Sequence, residues 1–519
     1  MHSALLVDEV LRQILDLCPR TCLPAVARTC RSWTDPALDN IWSHIGSLVP
    51  LLCLIPGLTC VDGVYDVVGC DGSLDLGVFN SYARRIKHIT QRHNARIHPK
   101  LLSLLCAHGM PLTRLATTRL SSIEHDCVPA TLSLSPRLQQ LDLDLGFRRK
   151  GPDGCNDYIE TLLRVATGIE RLRLRGLADQ RLNSGISRMS NLRSLSLRTG
   201  AFLTAETLAC ISAFPHLSEL EIEAGHIDPD ALLEAWSATA AEPRFPTLKE
   251  LHICAQAPLL GLVLRNVPSA SLHALRIEAT TDPAGAAPVR WGDLFDLLTS
   301  HTYTLHDLTI EQHLEDIELD LDNTISIPAP STPVDTQHDR LTFDTLRRLA
   351  PLHHLRRLTI DTTRLPNLSD AEMEALAGWW PALVHLDLGA LHSSECVLQA
   401  PQPQPQAPSH SSTPTTSTPR ATLACLRAFA AMPELQTLIL PLDLSSVPAL
   451  TPEPTPSPRT SPLARATFSS PTPPAPAAVA PYLHGVFPRL DGVDGTDEHE
   501  AQWEEVRRLM RASVVGVSV

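Results

Sequence analysis

Leu208-Ala-Cys-Ile211-Ser-Ala-Phe214-Pro215-His-Leu217-Ser-Glu-Leu220-Glu-Ile222 is the stretch on which the fold turns. Its second half alternates, so Leu220 and Ile222 share one face of an extended segment and Glu219, Glu221 and Glu223 share the other. Its first half spaces Leu208, Ile211 and Phe214 as a helix does and stops at a proline. Such a unit has an apolar strand face and an apolar helix face. Neither face can be buried by the unit alone, so the sequence must supply neighbours of the same kind.

It does. The pattern apolar-x-x-Leu-x-apolar occurs ten times, beginning at Leu138, Ile169, Leu192, Leu217, Leu248, Leu272, Leu305, Leu355, Leu383 and Leu435. Most copies start 23 to 33 residues apart, and two gaps are near 50. Stacking such units predicts an α/β fold: a curved parallel sheet with helices outside. The pattern resembles the leucine-rich-repeat family over roughly residues 111 to 445. It departs from that family three residues after the last strand leucine, where Asn or Cys is usual. The first four copies hold Gly146, Leu177, Gly200 and Gly225 there. Glycine turns the chain but has no side chain to tie one turn to the next.

The N-terminal residues read as a small all-α module. Val7, Val10, Leu11, Ile14, Leu15 and Leu17 alternate with Asp8, Glu9, Arg12, Gln13 and Asp16 at a period near 3.6. A second apolar run holds Leu23, Val26, Ala27, Cys30 and Trp33. A third helix is predicted to start with Asp35 as its cap and Pro36 in its first turn, with Leu38, Ile41, Trp42 and Ile45 on one face. Three short helices lie near the ~40-residue limit for independent folding, so the module should lean on a neighbour.

The order of residues is similar to the F-box. Leu6-Val7-Asp8-Glu9-Val10 matches that family's opening Leu-Pro-x-Glu-Ile, with Val7 where proline is usual. Ile14-Leu15, Thr29-Cys30-Arg31-Ser32-Trp33 and Leu38 with Trp42 match its later positions. The whole chain resembles fungal F-box proteins with trailing leucine-rich repeats. The resemblance implies that Leu6, Val7, Val10, Ile14, Leu15, Leu23, Cys30, Trp33, Leu38 and Trp42 dock a Skp1-like adaptor joined to a cullin-RING ligase core. It also implies that the repeats hold a protein substrate. The residues alone leave a second reading open, in which the helices merely cap the solenoid.

The resulting domain reading is 1–45 F-box helical module, 46–110 connecting segment, 111–399 repeats and 421–446 a further repeat. Residues 400–420 and 447–481, rich in Pro, Ser and Thr, are read as disordered loops, and 482–519 as a terminal strand and capping helix. Thr451, Thr455, Ser457 and Ser461 each precede proline and are candidate phosphate acceptors. The basic stretch from Arg84 to Lys100 is read as a solvated helix face, and the alternating run Asp316 to Asp322 as a strand with one wet acidic face.

Composition narrows the function. The 519 residues are 43% hydrophobic and 19% charged, enough to build a core. A formal net charge of −14 argues against nucleic acid or an anionic membrane as partner. The 13 cysteines form no CxxC pair, which reads as free thiols in a reducing compartment. The opening residues lack a basic signal region, and the longest apolar run is broken by Pro50 and Pro56. The expected location is therefore cytoplasmic or nuclear. No phosphate loop, zinc-protease or nucleophile-elbow motif occurs. The expectation is a binding protein, not an enzyme, with no metal and no cofactor.

What remains is the polar face of the strands. Its candidate substrate-groove residues are Asp142, Asp144, Arg171, Arg173, Arg175, Arg198, Glu219, Glu221, Glu223, His252, Arg276 and Arg357. Neighbouring strands lie ~4.8 Å apart, so acidic and basic rungs can neutralise each other as a solvated ladder. Equally, they can form a charge-patterned groove that selects a complementary partner. An adaptor and a stand-alone interaction scaffold both fit this face.

Overall fold

The structure is a computed structural model. It describes residues 7–67, 74–91, 96–107, 111–120, 132–146, 153–178, 180–239, 243–268, 271–281, 290–301, 304–314, 341–362, 366–389, 420–449, 461–470, 472–495 and 499–516. Helices alternate with strands; Leu58–Val61, Val64–Val67 and Arg96–Ile97 form a separate sheet of three, and the other fifteen strands form one parallel sheet. All ten sequence copies are strands of this sheet, from Gln140–Asp144 to Thr437–Pro441. Five further strands carry no copy of the motif: His44–Ile45, His88–Gln91, Thr117–Leu120, Arg465–Ser469 and Gly492–Gly495.

The chain divides into two units, Met1–Glu223 with Asp230–Thr247, and Ala224–Pro229 with Leu248–Val519. In the first, Leu141, Leu172, Leu195 and Leu220 stand in register on successive strands. In the second, Leu251, Leu275, Leu308, Leu358, Leu386, Leu438, Ala466 and Val493 do the same. None of these twelve is more than 2% exposed. The register follows from the pleat, because a slip of one residue would turn each leucine to water. Intervening helices close the apolar face, with Leu208 and Ile211 fully buried in one unit and Leu259, Leu260 and Leu376 in the other.

Turn chemistry replaces the missing asparagine ladder. Gly146 and Gly176 both have positive φ, 73° and 98°. A Cβ on Gly176 would lie 2.5 Å from the Gly146 carbonyl oxygen, so both the dihedral and the contact require glycine. Asp144 accepts from the Gly146 amide at 3.0 Å, and Asp387 from that of Gly389 at 2.9 Å. Asparagines still tie some turns: the Asn183 amide donates to the Phe202 carbonyl at 2.8 Å and its oxygen accepts from Thr204 N–H at 3.2 Å, and the Asn191 amide donates to the Thr167 carbonyl at 3.2 Å.

Two boundaries differ from the sequence reading. The third N-terminal helix runs Arg31–Trp42, capped by Cys30 rather than Asp35. Pro36 is the sixth of its twelve residues and supplies no amide for the backbone bond to the Ser32 carbonyl. Residues 447–481 are not one loop: Arg465–Ser469 is a sheet strand and Pro476–Val486 a helix. Phe468, Val479 and Leu483 are buried, so apolar side chains outweigh the proline content. Ser461 is only 3% exposed and its hydroxyl accepts from Leu463 N–H, which removes it from the candidate phosphate acceptors. Thr451, Thr455, Ser457, the run Asp316 to Asp322 and residues 400–419 lie outside the described residues.

The basic stretch is likewise not a helix face. His88–Gln91 is a strand paired with His44–Ile45, and His44 stands in register with His88, ring centroids 6.1 Å apart. Burial pushes both imidazoles below the ordinary histidine value, helped at His44 by Arg20 and at His88 by His44 and Lys87. The unfolded chain therefore takes up these protons first. The stability they leave intact is present above the ordinary value of about 6.5 and is lost as pH falls through the lower folded values. Thermal unfolding should move to lower temperature on acidification from about pH 7 to about pH 5. A His44→Gln/His88→Gln variant should show a shallower decline in the same scan.

Candidate functional site

The N-terminal module is built from three helices: α1 (Asp8–Asp16), α2 (Leu23–Ala27) and α3 (Arg31–Trp42). α1 starts without a side-chain cap, and Asp8 and Glu9 in its first turn complement the helix dipole instead. Its two apolar lines have different fates. Leu11 and Leu15 turn inward and form a core with Leu23 and Ala37, against which Cys18, Val26, Ala27, Trp33 and Ile41 pack. Val7, Val10, Ile14 and Leu17 face outward, 45%, 37%, 40% and 88% exposed. Their spacing of three, four and three residues makes them one stripe.

This sorts the residues named from sequence. Val7, Val10 and Ile14 lie together on the outer stripe. Leu15 and Leu23, read as docking residues, are buried in the module's own core and shape the face without presenting to it. Trp33 packs on that core and Cys30 caps α3, both half-buried. Ser32 donates to or accepts from the Cys30 thiol at 3.2 Å, and this contact lowers the thiol's pKa. Leu38 and Trp42 are half-buried, Trp42 with its ring 4.9 Å from Tyr82. Leu6 lies outside the described residues. Leu17, the most exposed of the stripe, was missed; its signal was the step of three from Ile14.

Charged groups anchor the module. Arg12 reaches Asp8 at 2.7 Å and Asp39 at 3.0 Å. Arg85, beyond the module, pairs with the same Asp39 and with Asp35 at 2.6 Å, and donates to the Asp35 carbonyl at 3.1 Å. Asn40 donates to Asp16 at 2.9 Å, joining α3 to α1. An Arg85→Ala variant should lose roughly 1 kcal/mol of local stability, more than a lone surface pair because two carboxylates and a carbonyl lose one donor group. The measurement is hydrogen exchange, faster in Asp8–Trp42 and unchanged in strands remote from it.

The second candidate surface is the polar face of the strands. In the first unit Arg119 holds Asp142 at 2.7 Å. Glu221 collects Arg198 at 2.5 Å, Arg173 at 3.7 Å and the Ser196 hydroxyl. Glu223 accepts from the Gly200 amide at 2.7 Å. In the second unit His252 meets Glu278 at 2.6 Å, Arg276 lies 2.8 Å from Glu311 and 3.3 Å from Glu278, and Arg357 lies 3.4 Å from Asp307. Most of the groove charges are thus paired across neighbouring strands. Arg171 and Arg175 are exposed and, among the described residues, make no ion pair. Glu219 has none either.

Among the described residues no group of three His, Cys, Asp or Glu is placed to hold a metal ion. No helix among them is long and apolar enough to cross a membrane.

No protein-family model matches the chain, and neither does any curated protein. The chain is similar to a solved structure, the crystal structure of the Rad7 and Elc1 complex in yeast. The identity is 14% and the TM-score 0.32, over 75% of this chain and 90% of that one.

Proposed function

We propose that the chain is a substrate-recognition adaptor of an SCF-type ubiquitin ligase. Its N-terminal helices hold a Skp1-like adaptor, which brings the cullin-RING core, and the polar face of its sheet holds a protein substrate. The chain does no bond chemistry and needs no cofactor. Its contribution is proximity, which turns a rare encounter between substrate and ubiquitin carrier into an effectively intramolecular one. Such a ligase works in the cytoplasm or nucleus, where the free thiols also belong.

The observation that carries this reading is the outer stripe of α1. The inward line already builds the module's core, so a helix that only capped the sheet would gain nothing from Val7, Val10, Ile14 and Leu17. Each large apolar side chain moved from water to a protein interior gains about 1.5–3 kcal/mol, and four in one line form a docking surface. The F-box-like order of residues supports a Skp1-like adaptor as the partner that docks there. The stand-alone scaffold remains the second reading, favoured by the packing of Trp42 on Tyr82, which a cap would also need. Hydrogen exchange with and without the Skp1-type adaptor of the same organism separates the two. The ligase reading expects slowed exchange confined to α1 through α3. Unchanged exchange there, at adaptor concentrations that saturate a known F-box protein, would leave the scaffold.

A further inference from the structure

We propose that the strand Arg171–Arg175 is a docking rung for an extended acidic segment of the substrate, one with carboxylates at alternate positions. This rests on the substrate-binding role of the sheet face given above. Arg171, Arg173 and Arg175 stand on one face of one strand and all three are exposed. Side chains two residues apart on a strand are spaced ~6.6 Å, the same step that separates alternate side chains of any extended peptide. Three guanidiniums therefore match three carboxylates of an acid-x-acid-x-acid segment lying along the strand, and each can take its carboxylate through two parallel N–H donors.

The neighbours explain why these cations are unspent. Arg171 stands in register between Gln140 and Ser194, neither of which carries charge. Arg175 stands between Asp144 and Arg198. Asp144 is turned to the Gly146 amide, and Arg198 is turned away to Glu221. Arg173 has a long hydrogen bond to the Ser196 hydroxyl, 3.5 Å, and a longer contact, 3.7 Å, to a carboxylate already held by Arg198 and Ser196. The flanks set the width of the site. Asp142 and Asp144 lie on one side of the rung, and Glu219, Glu221 and Glu223 two strands away on the other. An acidic chain displaced sideways meets like charge, so the ligand runs along the rung and not across it. A nucleic-acid strand carries charge at every nucleotide, is wider than one rung, and finds no aromatic stacking partner on this strand.

The test uses the full chain without any adaptor, so its outcome is independent of Skp1 binding. Short labelled peptides of one composition are titrated at low salt and followed by anisotropy. One has Glu and Ser alternating; the other has its Glu residues contiguous. The alternating peptide should bind at least about fivefold tighter, and the Arg171→Ala/Arg175→Ala variant should weaken it by roughly tenfold, consistent with two exposed charge pairs. Raised salt should erase the difference. Arg193→Ala, which removes an exposed arginine paired with Glu170, is the charge control and should leave binding unchanged. Arg171→Glu/Arg175→Glu, with an unchanged circular dichroism spectrum, should abolish it. Equal binding of the two peptides, equal losses in the Arg193 control, or tighter binding of a single-stranded oligonucleotide would overturn the proposal.

Discussion

Val10→Asp/Ile14→Asp should cut affinity for the Skp1-type adaptor at least about a hundredfold while leaving the module folded. Both side chains are on the outer stripe, 37% and 40% exposed, and neither belongs to the inner core, so the unbound chain keeps that core intact. In the complex each carboxylate would be taken from water into an apolar contact without a partner, at several kcal/mol each, while the valine and isoleucine contacts are lost. The hundredfold figure corresponds to ~2.7 kcal/mol and is a lower bound on that sum. Leu15→Asp should also abolish binding, but by a different route. Leu15 is 2% exposed in a core of few residues, so a buried carboxylate unfolds the module. Hydrogen exchange tells the two apart: native protection from Asp8 to Trp42 in the double variant, none in the Leu15 variant. If the double variant binds the adaptor normally, the outer stripe is not the docking face.

The largest stability effect is expected at Trp380→Ala, about 3–5 kcal/mol. Trp380 is fully buried and donates from its indole nitrogen to the Leu349 carbonyl at 3.2 Å. It meets Trp379 edge-on at 5.5 Å, and Trp379 in turn meets Phe343 at 5.4 Å. Leu349 belongs to the turn before the Arg357–Asp361 strand, and Trp380 to the turn before His385–Asp387, so one side chain ties two successive repeats. Alanine leaves a large cavity and an unpaired carbonyl. Trp380→Phe should cost less, because it keeps most of the volume and loses mainly the hydrogen bond. Denaturant unfolding read by far-ultraviolet circular dichroism measures both. A Trp380→Ala cost within that of a surface substitution would mean that the repeats are not tied there.

The legible part of the fold was the leucine pattern. It located the ten central strands because their inward residues are leucine or isoleucine at fixed spacing, as in Leu308-Thr-Ile310. The other five strands break the pair: they bury Ile45, Ile89 with Gln91, Thr118 with Leu120, Ala466 with Phe468, and Val493. Packing accepts these, but a motif search does not. The proline content around residues 447–481 hid a strand for the same reason, since Ala466 and Phe468 outweigh composition when neighbouring strands are there to pair with.

The site was legible in part. Periodicity shows that α1 has apolar residues on more than one line but not which line turns inward, because that depends on where α2 and α3 lie. Hence Leu15 was grouped with Ile14, and Leu17 was passed over. On the sheet, the sequence names every charge but not its partner. The pairing of Glu221 with Arg198, Arg173 and Ser196, and the idleness of Arg171 and Arg175, depend on register and on the side to which each chain leans.

The most direct test of the adaptor role is calorimetric titration of the full chain with the Skp1-type adaptor from the same organism. The account predicts a saturable one-to-one complex with a negative heat-capacity change, the mark of apolar surface leaving water. A chain that is folded by circular dichroism and takes up no adaptor would contradict it.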